Sequence, residues 1–579
     1  MIRFLSLLLL VVNGFAADVL QSARIYPWAG KVGIPGGIPD SSLMTIYTNF
    51  SAGASEASVN AALNSCPSNQ VVQMGAGAFS FGAGDTDCIR DHGVVWRGTG
   101  TSLAPQTFVT YSSGQILIRT TYHEASSGNP NVNLFQNLTK GDTTAVLASA
   151  APSWLIAGNP YIFDQLENTN ISKLVTDSTE GSQPLRSGRG YGWEIKVTAV
   201  TSGTNLTLEF PSPGTITTAD DAEVSMPEYD PSSTVPIMRF GIESIHFSWT
   251  SGSQNSLQWE TPYQCWMKDT VVSNTALRGI SIYGGYQCEF RRTVWRQSQD
   301  AGAGAGYGIA LTHGSCFNLI EDNIFVDLHV GVQENYSSAC NATIYNFFGE
   351  GLHDSAGQSP AWNAHGVISS WSLIEGNWMW TKAMSDDTHG SGGHAHTIFR
   401  NYVAGYGSTN FTPVLFDASC VNLRVWCFKH NIVGNNFGTN GYNTIYMHDF
   451  PDSDDRNADK VIYRIGYGAD YDVAIAGMDL IMLLNHDSVT DSVADPGAFT
   501  IADLVDSYFH SSKPAYFGAL AWKPFGADKP TATSPTNIPA GWRFVMGTEV
   551  PEAVEGSPGG AVTLGSGTIT TGGGTISFQ

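Results

Sequence analysis

Four segments of the chain repeat one design. Ser256–Cys265, Gly279–Cys288, Gly308–Cys316 and Gly331–Cys340 each open on a short alternating apolar stretch, turn, and reach a cysteine at nearly the same offset. A second apolar segment follows each cysteine, at Thr270–Val272, Thr293–Trp295, Asn323–Phe325 and Asn346–Phe348. The cysteines fall at 265, 288, 316 and 340, so the period lies in the twenties. It continues without cysteine through Ile374–Trp378, Ile398–Tyr402 and Phe428–Ile432. A period of this length, built from strand-sized segments with no helix-length apolar stripe, predicts a solenoid in which each repeat is one coil of a parallel β-helix.

Coils stack at about 4.8 Å, so equivalent residues form ladders along the axis. The spacing predicts that Cys265, Cys288, Cys316 and Cys340 stack as core thiols, small and apolar enough to pack. Asparagines beside the second apolar segment suit corners, where they tolerate left-handed backbone and bond to the coils above and below. Cys66 with Cys88, and Cys420 with Cys427, are the remaining disulfide candidates, and no CxxC pair signals a structural zinc.

A solenoid also accounts for the composition. Of 579 residues only 14% are charged, while 63 are glycine. Exposed helix faces would need more Lys, Glu and Arg than that, whereas coil corners are filled by Ser, Thr, Asn and Gly. The net charge of −23 argues against nucleic acid or an anionic membrane as partner, because like charges repel. Arg3, the apolar run Leu5–Val12 and the small residues Gly14 and Ala16 read as a signal peptide over 1–16. The expected location is therefore secreted, extracellular or periplasmic. No later segment reaches 18 apolar residues, so no membrane span is expected.

The flanks differ from the coils. Residues 17–132 read as an N-terminal cap and first coils, with a helix around Val59–Leu63 feeding the strand Gln70–Phe79. Hairpin-like runs at Tyr161–Phe163, Glu194–Thr198 and Leu206–Phe210 lack the coil period and mark an inserted β-subdomain over 133–235. The central coils occupy 236–455, and 456–527 reads as C-terminal coils and cover. Residues 528–579 are rich in Pro, Gly, Ser and Thr and read as a tail.

The cap, the strand after it, the turn Trp96–Gly100 and the coils with Asn near their second strand together resemble the pectate-lyase-like right-handed β-helix superfamily, over about residues 40–450. The resemblance implies an all-β right-handed parallel β-helix with an N-terminal helical cap. It implies a polysaccharide partner, cleaved by lyases or glycoside hydrolases or gripped by adhesins and tailspikes. Fold alone does not choose among these.

The densest polar cluster is Ser385–His396, which brings Asp386, Asp387, His389, His394 and His396 within twelve residues. Two neighbouring carboxylates split their pKa values and can divide acid and base roles, as glycoside hydrolysis requires. The expected catalytic set is Asp386, Asp387, His389, Glu334 and His365. Glu260, Tyr283, His313 and Glu334 lie three to five residues into successive coils, and so are expected on one face. The expected substrate-binding set is Glu260, Tyr283, His313, Lys382 and His394, with aromatic faces packing on sugar rings.

Charge separates the reaction classes. Between 241 and 450, nine Lys and Arg residues face sixteen Asp and Glu, a surface that repels a polyuronate unless Ca²⁺ bridges it. The expectation is a glycoside hydrolase that requires no cofactor. The alternatives are a polysaccharide lyase, for which Lys382 and Arg278 keep a basic group available and Ca²⁺ is the cofactor, and a non-catalytic glycan-binding solenoid. The sequence leaves the oligomeric state open.

Overall fold

The computed structural model describes residues 19–89, 93–119, 130–166, 188–226, 237–300, 302, 304–351, 359–366, 368–385, 392–407, 418–424, 427–447, 460–467, 479–494, 499–552, 568–571 and 574–577. The signal peptide expected at 1–16 lies outside them.

Three long sheets run side by side, of twelve, twelve and eleven strands. Each coil contributes one short strand to each sheet in turn. One coil supplies Trp266–Lys268, Val271–Thr275 and Arg278–Tyr283, and the next supplies Glu289–Arg291, Val294–Ser298 and Tyr307–Thr312. Pairing between coils is parallel and closely in register, as in Met267↔Phe290↔Ile320 or Ile282↔Leu311. This is the right-handed parallel β-helix, the hand favoured for parallel crossovers. Alternate residues point into the bore, which is filled by stacked Phe, Ile, Leu, Val and Trp such as Trp259, Phe290, Trp295, Phe325 and Phe348.

The corner between first and second sheets explains the recurrent asparagines. At each level one residue takes left-handed backbone and an asparagine follows: Asp322-Asn323, Tyr345-Asn346, Gly376-Asn377, Arg400-Asn401, Gly434-Asn435 and Leu484-Asn485. Asn323 Oδ1 accepts from the Thr293 N–H at 2.9 Å, and each later asparagine Oδ1 accepts from the backbone N–H of the asparagine one coil below, at 2.8–3.0 Å, through to Asn485. Their Nδ2 groups donate to carbonyls of the lower coil, as Asn377 does to Thr343. Every side-chain donor and acceptor in the ladder is thereby met inside the fold.

The cysteines depart from expectation. All eight are buried thiols, so neither Cys66–Cys88 nor Cys420–Cys427 is a disulfide. Cys265 and Cys288 belong to the bore. Cys316 and Cys340 instead pack beneath the inserted sheet, where the Glu194 N–H donates to Cys316 Sγ. The corner after Thr312 holds one residue more than the corner after Tyr283, so Cys316 aligns with Tyr286. The column therefore continues from Cys288 to Asn318, Asn341, Ser372 and His396, each accepting from the backbone N–H below.

Helix α1 (Glu56–Ser65) buries Val59 and Leu63 against the open N-terminal end of the bore. Between the coil ending at Ile116–Arg119 and the one starting at Gly241–Glu243, a six-stranded antiparallel sheet of strands within 131–225 packs on the outside of the coils. The first sheet is covered by the two ends of the chain. Residues 24–41 run back along it from the last coils to the early ones: Arg24 pairs with Asp479 at 2.7 Å, Trp28 Nε1 donates to the Trp371 carbonyl, and Ser41 meets Glu243. The C-terminal segment returns over the corner of the Asn ladder, through Tyr508 to Glu375, Tyr516 to Glu321 and Arg543 to Asp322. Residues 535–546, within the compositional tail, carry a 3-10 turn at Pro535–Asn537 and helix α2 (Pro539–Met546), laid on the outer face of the second sheet. There Phe544 stacks on Phe347 at 4.6 Å.

Candidate functional site

The third sheet turns two adjoining columns away from the bore. Leu311, Val332, Trp362, Ala364, Val421 and Leu423 point into the bore, so the residues between them point outward. One outward column reads Ser281, Ala310, Gln333, Asn363, Met384, Asn422 and Arg464 in register. All are buried, and both amide atoms of Gln333 lack a hydrogen-bond partner among the described residues. A buried amide with unmet capacity is uncommon in native interiors.

The second column is the ledge where strands leave the third sheet. Glu260, Tyr283 and Thr312 pair in that order, and the next residue of each coil turns left-handed, including His313 (φ 52°) and Tyr336 (φ 45°). Bulky residues adopt this backbone at a cost of roughly 1–2 kcal/mol, and such outliers concentrate at functional positions. The side chains stack: Tyr283 and His313 lie 5.1 Å apart, as do His313 and Tyr336. Gly366 follows on the next coil, where a Cβ would come within 3.2 Å of the Tyr336 ring. His365 stands beside it, its N–H donating to the Glu334 carbonyl at 2.9 Å. All five residues, Glu260, Tyr283, His313, Tyr336 and His365, are half-buried and reach solvent.

Burial sets the protonation of this ledge. It pushes the Glu260 carboxyl up from its ordinary range, against a 2.7 Å hydrogen bond from the Gln258 amide. It pushes His313 down to about 4, helped by nearby Arg278, so this imidazole is neutral at pH 7. Thr312 Oγ1, 2.8 Å from His313 Nδ1, holds the ring in place. A neutral imidazole, a carboxyl and two phenol rings along one edge can hydrogen-bond sugar hydroxyls and pack on ring faces. Among the described residues no group of three or more His, Cys, Asp or Glu is placed to hold a metal ion.

The sequence-derived set divides against this geometry. Glu260, Tyr283, His313 and His365 come together on the ledge. Asp386, Asp387 and His389 lie outside the described residues; Ser385, before Asp386, pairs with Ala364, before His365. Glu334 does not join the ledge. It pairs with Leu311 and Ala364 and points into the bore at 0% exposure, accepting from Ser372, Asn341 and Trp362 at 2.6–3.2 Å. Burial raises its carboxyl above the ordinary range, which those three donors oppose. Lys382 is 2% exposed at the opposite end of its strand from the ledge. His394 packs between Tyr191 of the inserted sheet and Trp371, and burial pushes it down to about 3. Tyr336 and the Gln333 column escaped the sequence reading. The only available signal for Tyr336 was an aromatic recurring just after the strand.

No family model matches the chain, and no curated protein does. Among solved structures, the chain is similar to the tailspike gp61 of Pseudomonas phage phi297 at 14% identity and TM-score 0.45, covering 67% of this chain and 58% of that one. It is similar to the tailspike gp49 of Pseudomonas phage LKA1 at 14% identity and TM-score 0.38, covering 66% and 55%. A mannuronic-acid-specific polysaccharide family 6 lyase from human gut microbiota follows at 8% identity and TM-score 0.34, covering 76% and 80%. The chain thus spans under two thirds of the two tailspikes.

Proposed function

We propose that the protein is a secreted β-helix of the pectate-lyase-like type that binds a polysaccharide along the edge of its third sheet and hydrolyses it. The observation that carries this reading is the file Glu260, Tyr283, His313, Tyr336 and His365. It places acid, aromatic and imidazole groups on consecutive coils beside the unpartnered amide of Gln333. Successive coils stand about 4.8 Å apart, near the length of one sugar unit, so a linear glycan lying parallel to the axis meets one coil per unit.

In this reading Asp386 and Asp387 are the acid and base, with His389 tuning them, and the ledge holds the chain across them. General acid and base groups each contribute about 10²–10⁴-fold. A hydrolase fits better than a lyase because the coil region is acidic and because Lys382, the basic group nearest the aspartates in sequence, is buried. The double variant Asp386→Asn/Asp387→Asn tests the chemistry. Release of reducing ends should fall at least a hundredfold while glycan binding and the melting temperature hold. Undiminished release would remove the aspartates from the mechanism. An unsaturated product that disappears with chelator would make the enzyme a Ca²⁺-assisted lyase, and binding with no product at all would make it a glycan-binding solenoid.

A further inference from the structure

A second site lies on another side of the solenoid. Where helix α2 crosses the outer face of the second sheet it leaves a cavity of about 410 Å³, within the range of small-molecule sites. Its floor is the outward row of four coils, Val294, Ile324, Phe347 and Trp378, and its roof is Phe544 and Val545. An apolar gap of this kind would ordinarily be closed by packing. Its lining carries buried polar atoms. Ser102 Oγ, Trp380 Nε1 and Arg543 Nε have no hydrogen-bond partner among the described residues, with Ser102 7% and Arg543 2% exposed. Arg543 gives one hydrogen bond from each terminal nitrogen to Asp322, at 2.8 and 2.7 Å, which leaves its Nε unmatched. At the rim stand Asp327 and Glu350, ladder neighbours on adjacent coils whose backbones bond at 2.9 Å, and Arg296. Burial pushes the Asp327 carboxyl up, against the pull of Arg296.

We propose that this cavity is a binding site for a neutral saccharide of one or two units, distinct from the third-sheet ledge and independent of whether the protein cleaves glycans. The chemistry selects the class. Trp378 and Trp380, beside the stacked pair Phe347 and Phe544, offer aromatic surface to a sugar's apolar face. Two orphaned N–H groups need acceptors, which ring and hydroxyl oxygens supply, and the carboxylates accept from hydroxyls. The same carboxylates repel a uronate or a phosphate. A purely apolar ligand would leave the buried donors unpaired.

Calorimetric titration of the mature chain with maltose, cellobiose, lactose and chitobiose, and with digalacturonate as the anionic probe, tests the site. At least one neutral disaccharide should bind saturably and change tryptophan fluorescence. Its affinity should fall tenfold or more in Trp380→Ala and fivefold or more in Asp327→Asn, an isosteric change that keeps the fold. Tyr283→Ala, on the ledge, should leave it within twofold, and digalacturonate should bind at least tenfold more weakly. The site is refuted if no neutral probe binds, if both cavity variants bind as the wild type does, if Tyr283→Ala alone abolishes binding, or if digalacturonate is preferred.

Discussion

Single residues carry different loads according to the side of the strand they occupy. Tyr283 and His313 were legible as partners because similar offsets from the start of a coil, four and five residues, meant adjacent levels, and their rings do meet. Glu334 was misjudged for the same reason, since one residue of offset moves a side chain from the outer face to the bore. Its geometry predicts a structural role. Glu334→Ala should cost about 2–4 kcal/mol by orphaning the donors of Ser372, Asn341 and Trp362 and opening a void, whereas Glu334→Gln should keep turnover within a few fold; a collapse of turnover in a folded Glu334→Gln would return Glu334 to the catalytic set. His430 makes a second case. It is fully buried, stacked on His396 at 5.2 Å, and burial pushes it down to about 3 against an opposing backbone hydrogen bond at His396. Its folded pKa lies below the ordinary 6.5, so its contribution to stability is whole above pH 6.5 and is lost as pH falls toward 3, at about 1.4 kcal/mol per unit. Unfolding at pH 7.5 and pH 5.0 should therefore show the wild type losing about 2 kcal/mol more than His430→Leu; equal losses would mean that His430 is not held neutral.

At the scale of the element, the coil's recurring asparagine could be read in sequence because a corner with one left-handed residue leaves a fixed slot after it. The cysteine column could not be read in full, since one extra residue in the corner after Thr312 shifts register without disturbing the apparent period. The Asn ladder predicts that Asn377→Leu, which removes the acceptor for the Asn346 N–H and the donor to Thr343, destabilises by about 2–4 kcal/mol. Ala61→Leu, on the exposed face of α1, should stay within about 1 kcal/mol. Denaturant melts of the two variants compare them directly, and equal small effects would show that the ladder is ornamental to stability.

The whole molecule is more than a stack of coils, and that was the least legible level, because the covering segments have no period to betray them. A bare solenoid frays from its ends, each coil being held only by its neighbours. Residues 24–41 cross that logic by tying Asp479 and Asn431 near the last coils to Glu243 near the first. Deletion through residue 34 should let the coils around 481–487 exchange amide hydrogens at least tenfold faster, while the coils around 266–298 change less; uniform exchange across the stack would contradict a strap. The low charge that fits a solenoid also belongs to this level: an apolar bore and a covered first sheet leave few places for charge. The third-sheet edge keeps half-buried acid, aromatic and imidazole groups in reach of solvent, and one measurement addresses it most directly. Crystals of the Asp386→Asn/Asp387→Asn variant soaked with an oligosaccharide of its substrate should show sugar units lying parallel to the solenoid axis against Tyr283, His313 and Tyr336, about one per coil. Sugar bound elsewhere, with none along that edge, would contradict the account.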